Sequence, residues 1–77
     1  MPTESLAKSA KARAASGKAR EIDAHRRAIT MQEDAAKFFD RMQEPDLSAS
    51  ARVRADNARE LLRRALEEQA EMGTESS

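Results

Sequence analysis

The sequence predicts an all-α protein, an antiparallel helical hairpin, and three observations carry that prediction. Charge alternates along the chain, because residues 1–27 are basic, 28–46 acidic, 47–64 basic and 65–77 acidic. The only interior proline, Pro45, stands in the acidic sequence Glu-Pro-Asp at the middle of this pattern. Apolar residues recur at helical spacing on both sides of it, whereas strand-type alternation and runs of β-branched residues are absent.

The N-terminal segment, residues 1–20, is rich in Ala, Lys and Arg and has no large apolar residue after Leu6. Its helix propensity is high except at Ser16 and Gly17. We therefore expect a basic N-terminal arm over residues 1–20 that is helical or frayed.

Residues 21–43 give the clearest helical pattern. Their apolar residues cover an arc of roughly 200°, with charged residues on the opposite side. Together with the helix-prone arm, they predict a long first helix over about residues 5–43. His25 and Gln32 interrupt the apolar arc on one seam, where they either fix the register or lie at a wet edge.

A turn over residues 44–47 should separate this helix from a second one. Pro45 has no N–H and disfavours helical geometry at the residue before it, so the first helix should end near residue 43. Either Asp46 or Ser48 can then cap a second helix over about 48–72, whose apolar residues lie within an arc of about 140°. Gly73 is suited to ending that helix, and residues 73–77 read as a disordered tail after a hairpin of residues 21–72.

A short turn makes the two helices antiparallel neighbours, and pairing outward from the turn predicts their register. Phe39 should lie over Ala51 and Ala55, a large side chain against small ones. The charge pattern then places opposite charges together. The expected neighbours are Arg52 and Arg54 with Asp40 and Glu44, and Glu67, Glu68 and Glu71 with Arg20, Arg26 and Arg27.

The composition excludes several classes of site. The chain has no cysteine and one histidine, so neither a thiolate metal site nor a histidine cluster can form. We expect no cofactor and no catalysis, because a lone histidine without cysteine or tyrosine, in a fold that forms no pocket, does not make an active site. The sequence shows no apolar run of membrane-spanning length and no apolar leader, so we expect a cytoplasmic protein without membrane contact.

The apolar arc of the first helix is wider than one neighbouring helix can cover. Its excess is a stripe of four residues on one face: Met31, Ala35, Phe38 and Met42. Met and Phe are common at protein interfaces, and a chain with only 3% aromatic residues has little material for a core of its own. We expect a small, non-enzymatic helical interaction module that binds a protein partner or itself, plausibly as a dimeric four-helix bundle. The alternative is that the N-terminal arm folds back over the stripe.

A second functional hypothesis concerns the basic arm. Its cationic side chains are Lys8, Lys11, Arg13, Lys18 and Arg20. Clustered Lys and Arg suffice for phosphate contacts, so the alternative function is that of a nucleic-acid-binding accessory protein with little sequence specificity. The arm has no aromatic residue for base stacking, and it can equally be a solvated, solubilising helix.

Overall fold

Two helices packed against each other make up the computed structural model, which describes the backbone of residues 2–75 and the side chains of residues 10–73. Helix α1 spans Pro2–Arg41 and helix α2 spans Pro45–Glu75. The predicted all-α hairpin is confirmed. The molecule measures 64 × 18 × 11 Å, and the 40-residue α1 runs along its long dimension. Across the described residues, neither helix carries an apolar stretch long enough to cross a membrane.

The helix bounds differ from the sequence prediction mainly around the turn. Helix α2 begins at Pro45, three residues earlier than expected, because proline is well suited to the first position of a helix, where an N–H would lack a helical partner. The turn is therefore shorter than residues 44–47. Helix α2 also continues through Gly73 to Glu75, and Gly73 does not adopt positive φ. The tail expected over 73–77 thus starts within this helix, and its last two residues lie outside the described part.

The turn itself is a Schellman motif, the common hydrogen-bonded ending of an α-helix. The Glu44 N–H donates to the Phe39 carbonyl at 2.9 Å, and the Gln43 N–H donates to the Asp40 carbonyl at 3.2 Å. Gln43 occupies the left-handed position with φ of 58°, where glycine is the usual residue. The Glu44 carbonyl then accepts the Ser48 N–H at 3.0 Å. Glu44 is therefore the N-cap residue that directly precedes α2, and neither Asp46 nor Ser48 has that role.

The contact between the helices follows a heptad repeat, with seam residues alternately three and four apart. In α2 the seam residues are Ser48, Ala51, Ala55, Ala58, Leu62 and Ala65. In α1 they are Lys18, Ile22, His25, Ile29, Gln32, Ala36 and Phe39. Such a repeat defines an antiparallel coiled coil with a narrow contact.

Small side chains fill most of this seam. Ala51, Ala55 and Ala65 are at most 2% exposed, and Ser48 is the largest fully buried side chain among the described residues. Small residues allow the helices to approach closely, but they bury little apolar area. Larger residues of the predicted apolar arc, such as Leu61 and Leu66, remain substantially exposed.

The register agrees with the prediction near the turn and departs from it at the open end. Arg52 pairs with Asp40 as expected. Glu68, expected near the arginines of α1, pairs instead with Lys18. These two contacts show that the helices are antiparallel. In each of them, the residue of α1 and the residue of α2 lie at comparable distances along the chain from the turn.

Candidate interaction surface

The four residues expected to form a docking stripe do lie on one side of α1. Met31 is 65% exposed, Phe38 50% and Met42 59%, while Ala35 is half-buried between them. Their spacing places them just beside the coiled-coil seam, on the outer surface of the helix. We call this set the α1 stripe.

The ring of Phe38 has a fixed neighbour within α1. Its centroid lies 5.6 Å from that of Phe39, with an interplanar angle of 66°. This edge-to-face arrangement is a favourable one for aromatic pairs. Since Phe39 is a half-buried seam residue, the contact links the exposed ring to the core and helps to orient it.

Two leucines of α2 adjoin the same side of the hairpin. In an antiparallel coiled coil, the residues directly preceding seam residues such as Ala36 and Ser48 face one common side. On α2 these residues include Leu47 and Leu61, which are 47% and 46% exposed, with Arg54 between them. Neither leucine belongs to a site predicted from the sequence, although the heptad spacing of α2 indicates that both lie on this side.

The opposite side of the hairpin is charged. Arg59 Nη2 lies 3.0 Å from Glu33 Oε1, and the Arg52 guanidinium binds the Asp40 carboxylate. Together with a hydrogen bond from Ser48, Arg52 holds the pKa of Asp40 below its usual range. The ion pairs Arg52–Asp40 and Arg59–Glu33 therefore join the helices on the side opposite the α1 stripe, whereas Lys18–Glu68 joins them at the open end.

The buried hydroxyl of Ser48 completes this charged side. Ser48 Oγ donates to Asp40 Oδ1 at 2.5 Å, with the Ala36 carbonyl as a more distant acceptor at 3.3 Å. Arg52 in turn donates to Ser48 Oγ. The serine thus acts as a cross-helix contact rather than as the helix cap that its position in the sequence suggested.

The residues of the basic arm have different surroundings. Lys18 Nζ lies 2.8 Å from Glu21 Oε2 and also binds Glu68, and these hydrogen bonds raise the pKa of Lys18. Its side chain is only 14% exposed. Lys11, Arg13 and Arg20 are exposed, whereas the side chain of Lys8 lies outside the described residues.

Two grooves lie between the helices. One, of about 660 Å³, is at the open end and is lined by Lys11, Ala12, Ala14, Ala15, Lys18, Gln69, Met72 and Gly73. The other, of about 250 Å³, lies on the charged side next to Ala36 and Ala55. Within the described residues, no group of three His, Cys, Asp or Glu side chains is placed to hold a metal ion. His25 Nε2 lies 3.6 Å from Glu21 Oε1.

These features define an alanine-rich, two-helix antiparallel coiled coil with one apolar and one charged side. Comparison of the chain with protein-family models, curated proteins and solved structures found no match. Its function must therefore be argued from the surface itself.

Proposed function

We propose that this protein is a small, non-enzymatic interaction module that binds protein through the α1 stripe, with a dimeric four-helix bundle as the expected assembly. The observation that carries the proposal is the exposure of Met31, Phe38 and Met42, each at least half accessible on one helix face. A cytoplasmic location remains a prediction from the sequence.

The lean seam supports this proposal. The buried apolar residues among those described are Ile22 and five alanines, and burying an alanine contributes much less than burying a leucine or phenylalanine. The larger apolar side chains are mostly on the outside. The chain buries small apolar residues in its own seam and leaves large ones exposed. Binding another protein over those large residues would therefore bury the apolar area that the hairpin itself leaves accessible.

The alternative function, phosphate contact by the basic arm, has weaker support. Lys18 is engaged by two carboxylates, which leaves its charge largely neutralised. The exposed cations Lys11, Arg13 and Arg20 keep nucleic-acid binding as a second prediction, one that steep loss of affinity with added salt would test.

A photo-crosslinking phenylalanine analogue tests the proposed surface directly. It is placed at Phe38, on the stripe, or at Val53, which is similarly exposed at 58% but lies on the outer surface of α2. In intact cells, position 38 should give a discrete crosslinked protein species and position 53 should not. Equal yields at both positions, or none at position 38, would contradict the proposed function.

A further inference from the structure

The shape of the apolar surface restricts the kind of partner that can cover it. On the α2 part of this side, Arg54 separates Leu47 from Leu61, so apolar area does not extend continuously across the hairpin. Along α1 it is continuous from Ala28 to Met42. The complementary partner is therefore a single apolar helix face lying along α1.

The α1 stripe is complementary to itself when reversed. It reads Ala28, Met31, Ala35, Phe38, Met42, with the outer residues at nearly symmetrical distances from Ala35. In an antiparallel pair centred on Ala35, Met42 of one copy faces Ala28 of the other, and Met31 faces Phe38. Met42 then meets the small Ala28, and the sulfur of Met31 meets the ring of Phe38, which is a favourable contact.

Charge also favours this orientation. The basic part of α1 includes Arg26 and Arg27, while the turn carries Glu44 and Asp46. Reversal about Ala35 places the two arginines of one copy near the acidic turn of the other. A parallel pair would instead set the two basic segments side by side, where like charges repel.

The accessible area leaves room for such a contact. The chain exposes 6067 Å², whereas a compact monomer of its mass of 8.5 kDa exposes only about 4,700 Å². The excess of roughly 1,400 Å² per chain is larger than the ~800 Å² that each partner buries in a stable interface of standard size.

From these observations we infer that the occupant of the α1 stripe is a second copy of this chain, packed with α1 antiparallel to α1 about a two-fold axis near Ala35 and with the two turns at opposite ends. The inference rests on the proposed function and adds to it the partner and the geometry. Such an interface is isologous, because the same residues contribute from both copies.

Single-cysteine variants test this arrangement, since the native chain has no cysteine. Under mild oxidation, Ala35→Cys should give a disulfide-linked dimer, because the axis brings the two copies of this position together. A mixture of Ala28→Cys with Met42→Cys should give the mixed dimer, and Met42→Cys alone should not. Asp56→Cys, at a side chain 74% exposed and away from the stripe, is the control for random collision, and circular dichroism checks that each variant stays helical.

The outcomes separate this inference from the proposed function. Self-crosslinking of Met42→Cys without the mixed dimer would show a parallel pair and overturn the geometry. Crosslinking of Ala35→Cys no faster than the Asp56→Cys control would overturn the second copy as occupant. If, in addition, the photo-crosslinker at Phe38 captured a different protein, the proposed function would stand while this inference failed.

Discussion

Replacement of Gln43 by glycine should stabilise the hairpin, although glycine destabilises most positions of a helical protein. Gln43 holds φ of 58°, a left-handed conformation that costs a residue with a Cβ about 1–2 kcal/mol. Glycine avoids this cost but loses about 0.5–1 kcal/mol more backbone entropy on folding. The Schellman hydrogen bonds from Gln43 and Glu44 involve only the backbone, so they persist in the variant. The net gain should be about 0.5–1 kcal/mol.

Gln69→Gly is the matched control, because Gln69 is an exposed glutamine inside α2. There the same substitution should cost about 0.5–1 kcal/mol through lower helix propensity. Urea unfolding followed by circular dichroism at 222 nm measures both changes, at one protein concentration for all samples. Opposite signs are expected for the two variants. A loss of stability in Gln43→Gly similar to that in Gln69→Gly would refute the assignment of Gln43 to a left-handed helix ending.

Two further predictions concern the seam and the charged groups. Ala55→Leu should destabilise the hairpin by about 1–3 kcal/mol, because Ala55 is 2% exposed and overpacking displaces the neighbouring helix. The control Ala49→Leu, on the exposed surface, should change stability little. Equal unfolding midpoints for the two variants would show that the helices are not closely packed. Stability should also fall in acid. Ion pairs and hydrogen bonds lower the pKa values of Glu21 and Asp40 and lower that of Glu60 to about 2, so their contribution is complete above the unfolded pKa of about 4.5 and is lost as pH falls toward 2. The pKa values of these carboxyl groups set the range to measure, which is about pH 5 to 2. A melting temperature that stays constant or rises as the pH falls through this range would contradict the expected loss of stability.

The direction and approximate register of the helices could be predicted from the sequence. The charge pattern and Pro45 together determined the antiparallel hairpin, and the expected contact of Arg52 with Asp40 is present. Both follow from long-range regularities, namely the alternation of charge and the single break in helical pattern. These do not depend on the rotamer of any one side chain.

The width of the seam could not be obtained from an ideal helical projection. At 3.6 residues per turn, Leu61 and Leu66 project into the same arc as the buried alanines, but the coiled coil follows a 3.5-residue repeat. Leu61 directly precedes the seam residue Leu62 and Leu66 directly follows the seam residue Ala65, so they lie at opposite edges of the seam, where they are 46% and 38% exposed. The heptad spacing of the alanines, rather than the angular arc, identifies the contact.

Ser48 illustrates a second limit of sequence reasoning. A serine after a proline-containing turn is typical of a helix cap, yet its hydroxyl can equally bond across to another helix. Only the packing of α1 against α2 decides between these, and it places Ser48 Oγ 2.5 Å from Asp40 Oδ1.

Light scattering of the native chain shows whether a second copy covers the α1 stripe. The chain mass is 8.5 kDa, so a dimer of about twice this mass is expected at micromolar concentration. Phe38→Asp should reduce it to that of a single chain, while Val53→Asp should leave it unchanged. A native protein that remains at 8.5 kDa, or a dimer that persists in Phe38→Asp, would contradict the account.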